Sequence, residues 1–65
     1  MSLNTLSPQQ SAVLRQAMTG STDKAIARTL GLSPKTVNGH MAEALVKLGA
    51  ANRTQAAVMA ARAGW

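Results

Sequence analysis

Residues 22–48 read TDKAIARTLGLSPKTVNGHMAEALVKL, and this stretch decides the fold. Apolar residues recur at helical spacing as far as Gly31, a residue type that commonly ends a helix. Ser33 and Pro34 then supply the N-cap and first position of a longer helix, which is expected to end at Gly49. Two helices joined by a short turn containing glycine form a helix-turn-helix, which can place its second helix in the DNA major groove.

A further helix is predicted on each side of this unit. Ahead of it, Ser7 suits an N-cap and Pro8 the first helical position. Gln10 stands three residues after Ser7, where its side chain completes a capping box. After the unit, Asn52 is the expected cap of a fourth helix over residues 53–63.

The patterns therefore predict an all-α fold, a four-helix bundle. Residues 6–65 are expected to form one domain behind an N-terminal tail, residues 1–5. The chain has 65 residues, and a domain of this length buries only about 60% of the surface of its unfolded chain, so its core is small. No signal peptide is visible, and the longest apolar run falls far short of the roughly 20 residues that span a bilayer. The expected location is the cytoplasm, without membrane attachment.

The charge of the chain favours a polyanionic partner. Seven Lys and Arg residues against two Asp and Glu residues give a formal net charge of +5 at pH 7. In so small a domain, this excess is typical of proteins that bind nucleic acid. The alternative is that a small protein is basic without any function attached to its charge, and the positions of the charges decide between the two.

The predicted third helix, residues 34–48, has two different sides. At about 100° per residue, its apolar residues form one stripe that should face the core. This stripe consists of Val37, Met41, Ala44 and Leu48. The opposite side carries Lys35, Gly39, Ala42 and Val46, with Thr36, Asn38 and Glu43 toward its flanks.

Gly39 and Ala42 leave room for a close approach to this opposite side. The major groove, about 12 Å wide, admits a helix in this way. There the Asn38 side chain could pair with adenine, and Ala42 could contact a thymine methyl group. The alternative is that Gly39 and Ala42 mark a helix–helix contact.

Residues for catalysis or metal binding are scarce. The sequence has one His, no Cys and two acidic residues, which leaves no base–nucleophile pair and no metal cluster. His40 is expected to pack and form hydrogen bonds rather than bind a metal. We therefore expect no enzyme activity, no cofactor and no small-molecule ligand.

Four other side chains are given structural roles. Glu43 and Lys47 stand four residues apart in the favourable order for a helical ion pair, worth about 0.2–0.5 kcal/mol. Trp65 is expected to cover the end of the core, and Arg15 to be solvated.

Several motifs occur together along residues 6–65. They are Leu6-Ser7-Pro8, Ser33-Pro34-Lys35-Thr36-Val37 followed by His40, Lys47-Leu48-Gly49, Asn52-Arg53-Thr54-Gln55-Ala56 and Gly64-Trp65. In this combination the chain resembles the LuxR-type helix-turn-helix domain. That domain is the DNA-binding module of many response regulators and quorum-sensing regulators, and some of its members stand alone.

The resemblance implies a sequence-specific, double-stranded DNA-binding domain of a bacterial transcriptional regulator. Helix 34–48 would be the recognition helix in the major groove. The base-facing positions of the family match Asn38, Gly39 and Ala42. Its phosphate-facing positions match Lys24, Lys35, Thr36, Lys47 and Arg53. The fourth helix would form a homodimer contact, for which Ala56, Ala57, Ala60 and Ala61 are small enough. A contact with RNA polymerase is a further expectation.

The chain departs from the usual pattern of the family. Gln9 and Gln10 replace an Arg-Glu pair, and Ala25 replaces a Glu that would complete a capping box with Thr22. Asn38 often corresponds to Lys, so the base preference of relatives cannot be transferred.

Two other functions share this fold class. A helical module that binds an acidic protein or RNA polymerase is one, and a sigma-factor-like region is the other. Fold alone does not separate them from a transcriptional regulator, whereas the LuxR-like motifs do.

Overall fold

The computed structural model describes residues 5–65. Four α-helices follow one another along the chain, and this part of it contains no strand. They are α1 (Pro8–Met18), α2 (Asp23–Leu30), α3 (Pro34–Leu48) and α4 (Arg53–Arg62). The predicted all-α, four-helix architecture is confirmed. The predicted tail, residues 1–5, lies outside the described residues except for Thr5.

Each helix begins at the residue that its sequence indicates. Ser7, Thr22, Ser33 and Asn52 have extended backbone angles, and each side chain accepts a hydrogen bond from the backbone N–H three residues later. These bonds satisfy N–H groups that the first turn of a helix leaves without a partner. The predicted capping box at α1 is complete. At α2 only one of its two bonds forms, because the side chain of Ala25 cannot accept a hydrogen bond from the backbone N–H of Thr22.

The turn between α2 and α3 depends on Gly31. Its φ of 70° lies in the left-handed region, which residues with a Cβ rarely adopt. This conformation lets the backbone N–H of Leu32 donate to the carbonyl of Ala27 at 2.8 Å, closing the end of α2. Leu32 and the N-cap Ser33 then lead into α3, so a turn of three residues joins the two helices.

The core lies where the four helices meet, with α3 packed against each of the other three. Its buried apolar members are Leu6, Val13, Leu14, Ile26, Ala27, Val37, Met41, Ala44, Leu48, Ala56 and Ala60. The four residues predicted to face the core from α3 are all among them. The core residues from α4 are both alanines, Ala56 and Ala60. Because these side chains are small, α4 lies close to the other helices.

Trp65 packs against this core, as predicted. The guanidinium carbon of Arg15 lies 4.2 Å from the centre of the Trp65 ring. Arg15 is exposed but stacked on the indole, so the prediction that it is simply solvated is incomplete. The arrangement is a cation–π contact between α1 and the last residue of the sequence.

Candidate nucleic-acid interface

The side of α3 that faces away from the core is accessible. We call Lys35, Gly39, Ala42 and Val46 the open side of α3, because all four are exposed. A Cβ placed on Gly39 would meet no atom within 4 Å other than those of its chain neighbours and the adjacent backbone of α3. Gly39 and Ala42 are therefore not part of a helix–helix contact within the described chain, which was the alternative interpretation of their small size.

The open side is narrow and carries no acidic group of its own. Gly39 and Ala42 form its middle, Lys35 lies in the first turn of α3, and Val46 is 77% exposed. A helix surface with these residues can approach a second object without a layer of long, hydrated side chains between them. A duplex groove is an object of the right width.

Asn38 lies on one flank of the open side and is also exposed. Its side-chain amide forms no hydrogen bond to the residues that the structure describes. The amide therefore keeps two donors and an acceptor available to an incoming partner. This combination can make a two-bond contact to the edge of an adenine.

Thr36 is held at the start of α3. Its backbone N–H donates to Ser33 Oγ at 3.1 Å, and the two hydroxyl oxygens lie 2.8 Å apart. Lys35, between these two residues in sequence, is exposed. The cap therefore fixes the backbone that carries Lys35 and Thr36, two of the three residues of α3 predicted to contact phosphates.

An ion pair joins the start of α4 to the start of α2. Arg53 Nη2 contacts Asp23 Oδ1, and both side chains are partly buried, with exposures of 39% and 27%. Arg53 is one of the residues predicted to contact phosphates, and its ion pair with Asp23 was not predicted. Lys24 follows Asp23 in sequence and is exposed, so the ion pair joins the ends of α2 and α4 on which Lys24 and Arg53 were predicted to contact phosphates.

The predicted ion pair between Glu43 and Lys47 is wrong. Glu43 accepts a hydrogen bond from Gln10 Nε2 at 2.8 Å, and Lys47 Nζ donates to the Thr5 carbonyl at 3.3 Å. Both partners lie at or just before the start of α1, which packs along this flank of α3. A helical ion pair is worth so little that contacts with another helix readily replace it.

The predicted dimer residues on α4 divide into two groups. Ala56 and Ala60 have no exposed surface and pack in the chain's own core, so a second copy cannot reach them. The reason is that α4 uses this stripe of small residues to lie close to its own bundle. Ala57 is half-buried and Ala61 exposed, and the neighbouring Val58 is 46% exposed.

Two contacts of the acidic side chains were not predicted from the sequence, Gln10 with Glu43 and Arg53 with Asp23. A signal for them exists in the composition, since the sequence has only two acidic residues among seven basic ones. This excess of donors favours a partner for each acidic side chain, but the identity of that partner depends on helix packing. The partners are 33 and 30 residues apart in sequence, beyond the reach of local patterns.

The remaining chemistry of the described chain is limited. Residues 5–65 hold no group of three or more His, Cys, Asp and Glu side chains that could bind a metal ion. Over the same residues, every helix is too short or too polar to cross a bilayer.

Comparison with known proteins matches residues 4–60 to the family described as bacterial regulatory proteins, luxR family. A Bacillus subtilis protein named as an uncharacterised transcriptional regulatory protein, YvfU, is 42% identical over 62 residues, which cover 95% of this chain and 31% of that protein. Two proteins named as HTH-type transcriptional regulators are each 41% identical over 59 residues, covering 91% of this chain and 7% of each relative. They are Mb0914c of Mycobacterium bovis and MT0914 of Mycobacterium tuberculosis.

This chain thus spans less than a third of the length of each of these relatives. No solved structure gives a significant match.

Proposed function

Because the chain belongs to the luxR family of bacterial regulatory proteins, we propose that it binds specific sequences of double-stranded DNA as the DNA-binding part of a transcriptional regulator. The observation that carries the proposal is the open side of α3. It is exposed, has Gly39 and Ala42 at its middle and bears no negative charge. A helix with such a side can lie in the major groove, with α2 across the backbone.

Affinity comes first from charge. Lys24, Lys35 and Arg28 are exposed on α2 and α3, where they can neutralise phosphates and release condensed counterions. Arg53 remains a candidate for the same role, because a guanidinium has five N–H donors and Asp23 engages only one of its nitrogen atoms. Lys47 contributes from the flank on which α1 packs.

Specificity comes from the side chains that reach base edges. Asn38 can form two hydrogen bonds with adenine, while Ala42 offers a methyl group to thymine. Gly39 has no side chain to read with, so its contribution is the close approach that brings Asn38 and Ala42 within reach. Phosphate contacts fix the register of α3 in the groove, and the base contacts then discriminate between sequences.

The function inferred here is binding, not catalysis. The two carboxylates of the sequence are both engaged, Asp23 with Arg53 and Glu43 with Gln10. A general base would need a free carboxylate or imidazole beside a nucleophile. The chemistry of the accessible side chains instead suits a polyanion.

The wider setting follows from the family. We propose that the chain acts as a homodimer on a two-fold site in the cytoplasm, where bacterial DNA lies. It would serve as the output domain of a response-regulator or quorum-sensing type protein, or as a stand-alone regulator. A contact with RNA polymerase belongs to the same proposal, since a bound regulator can influence transcription through that contact.

The electrostatic part is tested by titrating a labelled duplex at several salt concentrations. The logarithm of the binding constant should fall linearly with the logarithm of salt concentration, with a slope of about −0.9 for each phosphate contacted. Lys35→Ala should weaken binding to all sequences alike and reduce the slope by about 1.

Arg62→Ala is the matched control, because it removes one positive charge from an exposed position on α4 outside the proposed interface. It should leave the slope nearly unchanged. A wild-type slope near zero, or the same change in slope for both variants, would contradict phosphate contacts through α3.

A further inference from the structure

Gln10 connects the start of α1 to α3 through one buried side chain. Only 3% of the residue is exposed. Its Oε1 accepts from the backbone N–H of Ser7 at 3.0 Å, closing the capping box of α1. Its Nε2 donates to Glu43 Oε2 at 2.8 Å, across to α3.

The two bonds require an amide at this position. The oxygen of Gln10 faces a donor and its nitrogen faces an acceptor, so both ends of the group are used according to their chemistry. A carboxylate could accept from Ser7 but could not donate to Glu43. It would instead place a second negative charge against Glu43 in a partly buried contact, where like charges repel strongly.

Glu43 lies where an unrestrained carboxylate would oppose DNA binding. It follows Ala42 directly and is four residues after Gly39, which puts it on the flank of the open side of α3. The residue is exposed, so its side chain has rotamers other than the one that reaches Gln10. Glu43 is also the only acidic residue of α3.

We propose that Gln10 is a positioning residue for DNA binding, because its hydrogen bond holds the Glu43 carboxylate against α1 and away from the phosphates. The inference rests on the proposed function. The Gln10 side chain then has two roles. Its bond to Ser7 stabilises α1, whereas its bond to Glu43 keeps negative charge away from the DNA-facing side of α3.

The test uses the 65-residue chain with Gln10→Leu, Glu43→Gln and both together, and measures duplex binding beside chemical unfolding. At low salt, Gln10→Leu should weaken binding about two- to fivefold, the effect of a single exposed charge. When Glu43→Gln is already present, adding Gln10→Leu should leave the DNA affinity unchanged within error, since the side chain that it releases from α1 is neutral. The loss of unfolding stability from Gln10→Leu should appear in both backgrounds.

Two further results are expected. The weakening caused by Gln10→Leu should shrink as salt rises, because screening reduces interactions between exposed charges. Ser7→Ala removes the N-cap hydroxyl but keeps Gln10 and Glu43, so it should lower stability without weakening DNA binding at temperatures where the chain is folded.

Equal weakening by Gln10→Leu in both backgrounds would overturn the inference, because it would mean that Gln10 acts only through the fold. In the same titrations, a wild-type DNA affinity that falls with salt supports the proposed function, whatever Gln10→Leu does. The inference about Gln10 and the proposed function can therefore fail separately.

If Gln10→Leu does not fold, Gln10→Glu replaces it. Gln10→Glu alone should bind poorly, and adding Glu43→Gln should restore binding by reversing donor and acceptor. Failure to restore would overturn the inference.

Discussion

Asn38 is the side chain near the open side of α3 with the richest hydrogen-bonding capacity. Lys35 can only donate, while Ala42 and Val46 have no polar side-chain atoms. The amide of Asn38 is exposed and forms no bond to other residues in the described part of the chain. Discrimination between base pairs by hydrogen bonds should therefore depend mainly on Asn38.

Asn38→Ala should cost about 1–3 kcal/mol of binding free energy on the cognate site and less on random DNA. The physical reason is that two hydrogen bonds to one base edge are lost, while the phosphate contacts remain. Sites selected from a random pool supply the cognate duplex, and competition with random duplex gives the ratio. Lys35→Ala serves as comparison, since it should weaken both classes of DNA alike. Equal losses for Asn38→Ala on both would remove it as a reader.

Gly39 lowers the stability of α3 but leaves space on its open side. A glycine inside a helix costs about 0.5–1 kcal/mol relative to alanine, because its backbone loses more freedom on folding. No packing contact in the described chain requires a glycine here, since a Cβ would meet no atom within 4 Å beyond its chain neighbours and the adjacent backbone of α3. The proposed close approach of DNA to this position would account for the absence of a side chain.

Gly39→Ala should raise the free energy of unfolding by about 0.5–1 kcal/mol and at the same time weaken binding to the cognate duplex. The added methyl group is accommodated within the free protein but stands between α3 and the floor of the groove. Denaturant unfolding and duplex titration on the same preparation measure the two effects. A variant that is more stable and binds DNA as well as the wild type would show that α3 does not approach DNA through Gly39.

Helix boundaries could be predicted from the sequence because the interactions that set them are local. Ser33 caps α3 through the N–H of Thr36, and Asn52 caps α4 through the N–H of Gln55. Each such bond spans three residues, so a short window contains the whole cause. The apolar stripe of α3 was predictable for the same reason, since helical period alone determines it.

Side-chain partners between helices could not be predicted, because they depend on packing. The period of α3 places Glu43 and Lys47 side by side, yet α1 lies against that flank and offers them Gln10 and the Thr5 carbonyl instead. Likewise, the alanines on α4 indicate a close contact with another helix, but they do not indicate whether that helix belongs to the same chain or to a second copy. Ala56 and Ala60 meet their own bundle.

If two copies assemble through α4, as proposed, they can use only its outer part. Because Ala56 and Ala60 are buried in the core, the accessible small aliphatic side chains of α4 are Ala57, Ala61 and Val58. These residues are small or moderately apolar, which suits a modest contact. A contact of that size would form most readily when two copies already lie on adjacent half-sites.

Ala57→Glu should abolish cooperative binding to a two-fold site and leave binding to a single half-site intact, because it places two like charges at the contact between copies. Ala51→Glu is the matched control, since it adds the same charge at an exposed position before α4. Binding curves on duplexes with one and two half-sites make the measurement. Unchanged cooperativity in Ala57→Glu would place the dimer contact elsewhere on the molecule.

Trp65 gives the molecule an optical property of its own. It is the only tryptophan in a sequence without tyrosine or phenylalanine, so ultraviolet fluorescence originates from one indole. That indole rests on the apolar interior beneath the Arg15 guanidinium. Unfolding must transfer it to water and move its emission to longer wavelength, so the folded fraction of any variant can be followed without attaching a dye.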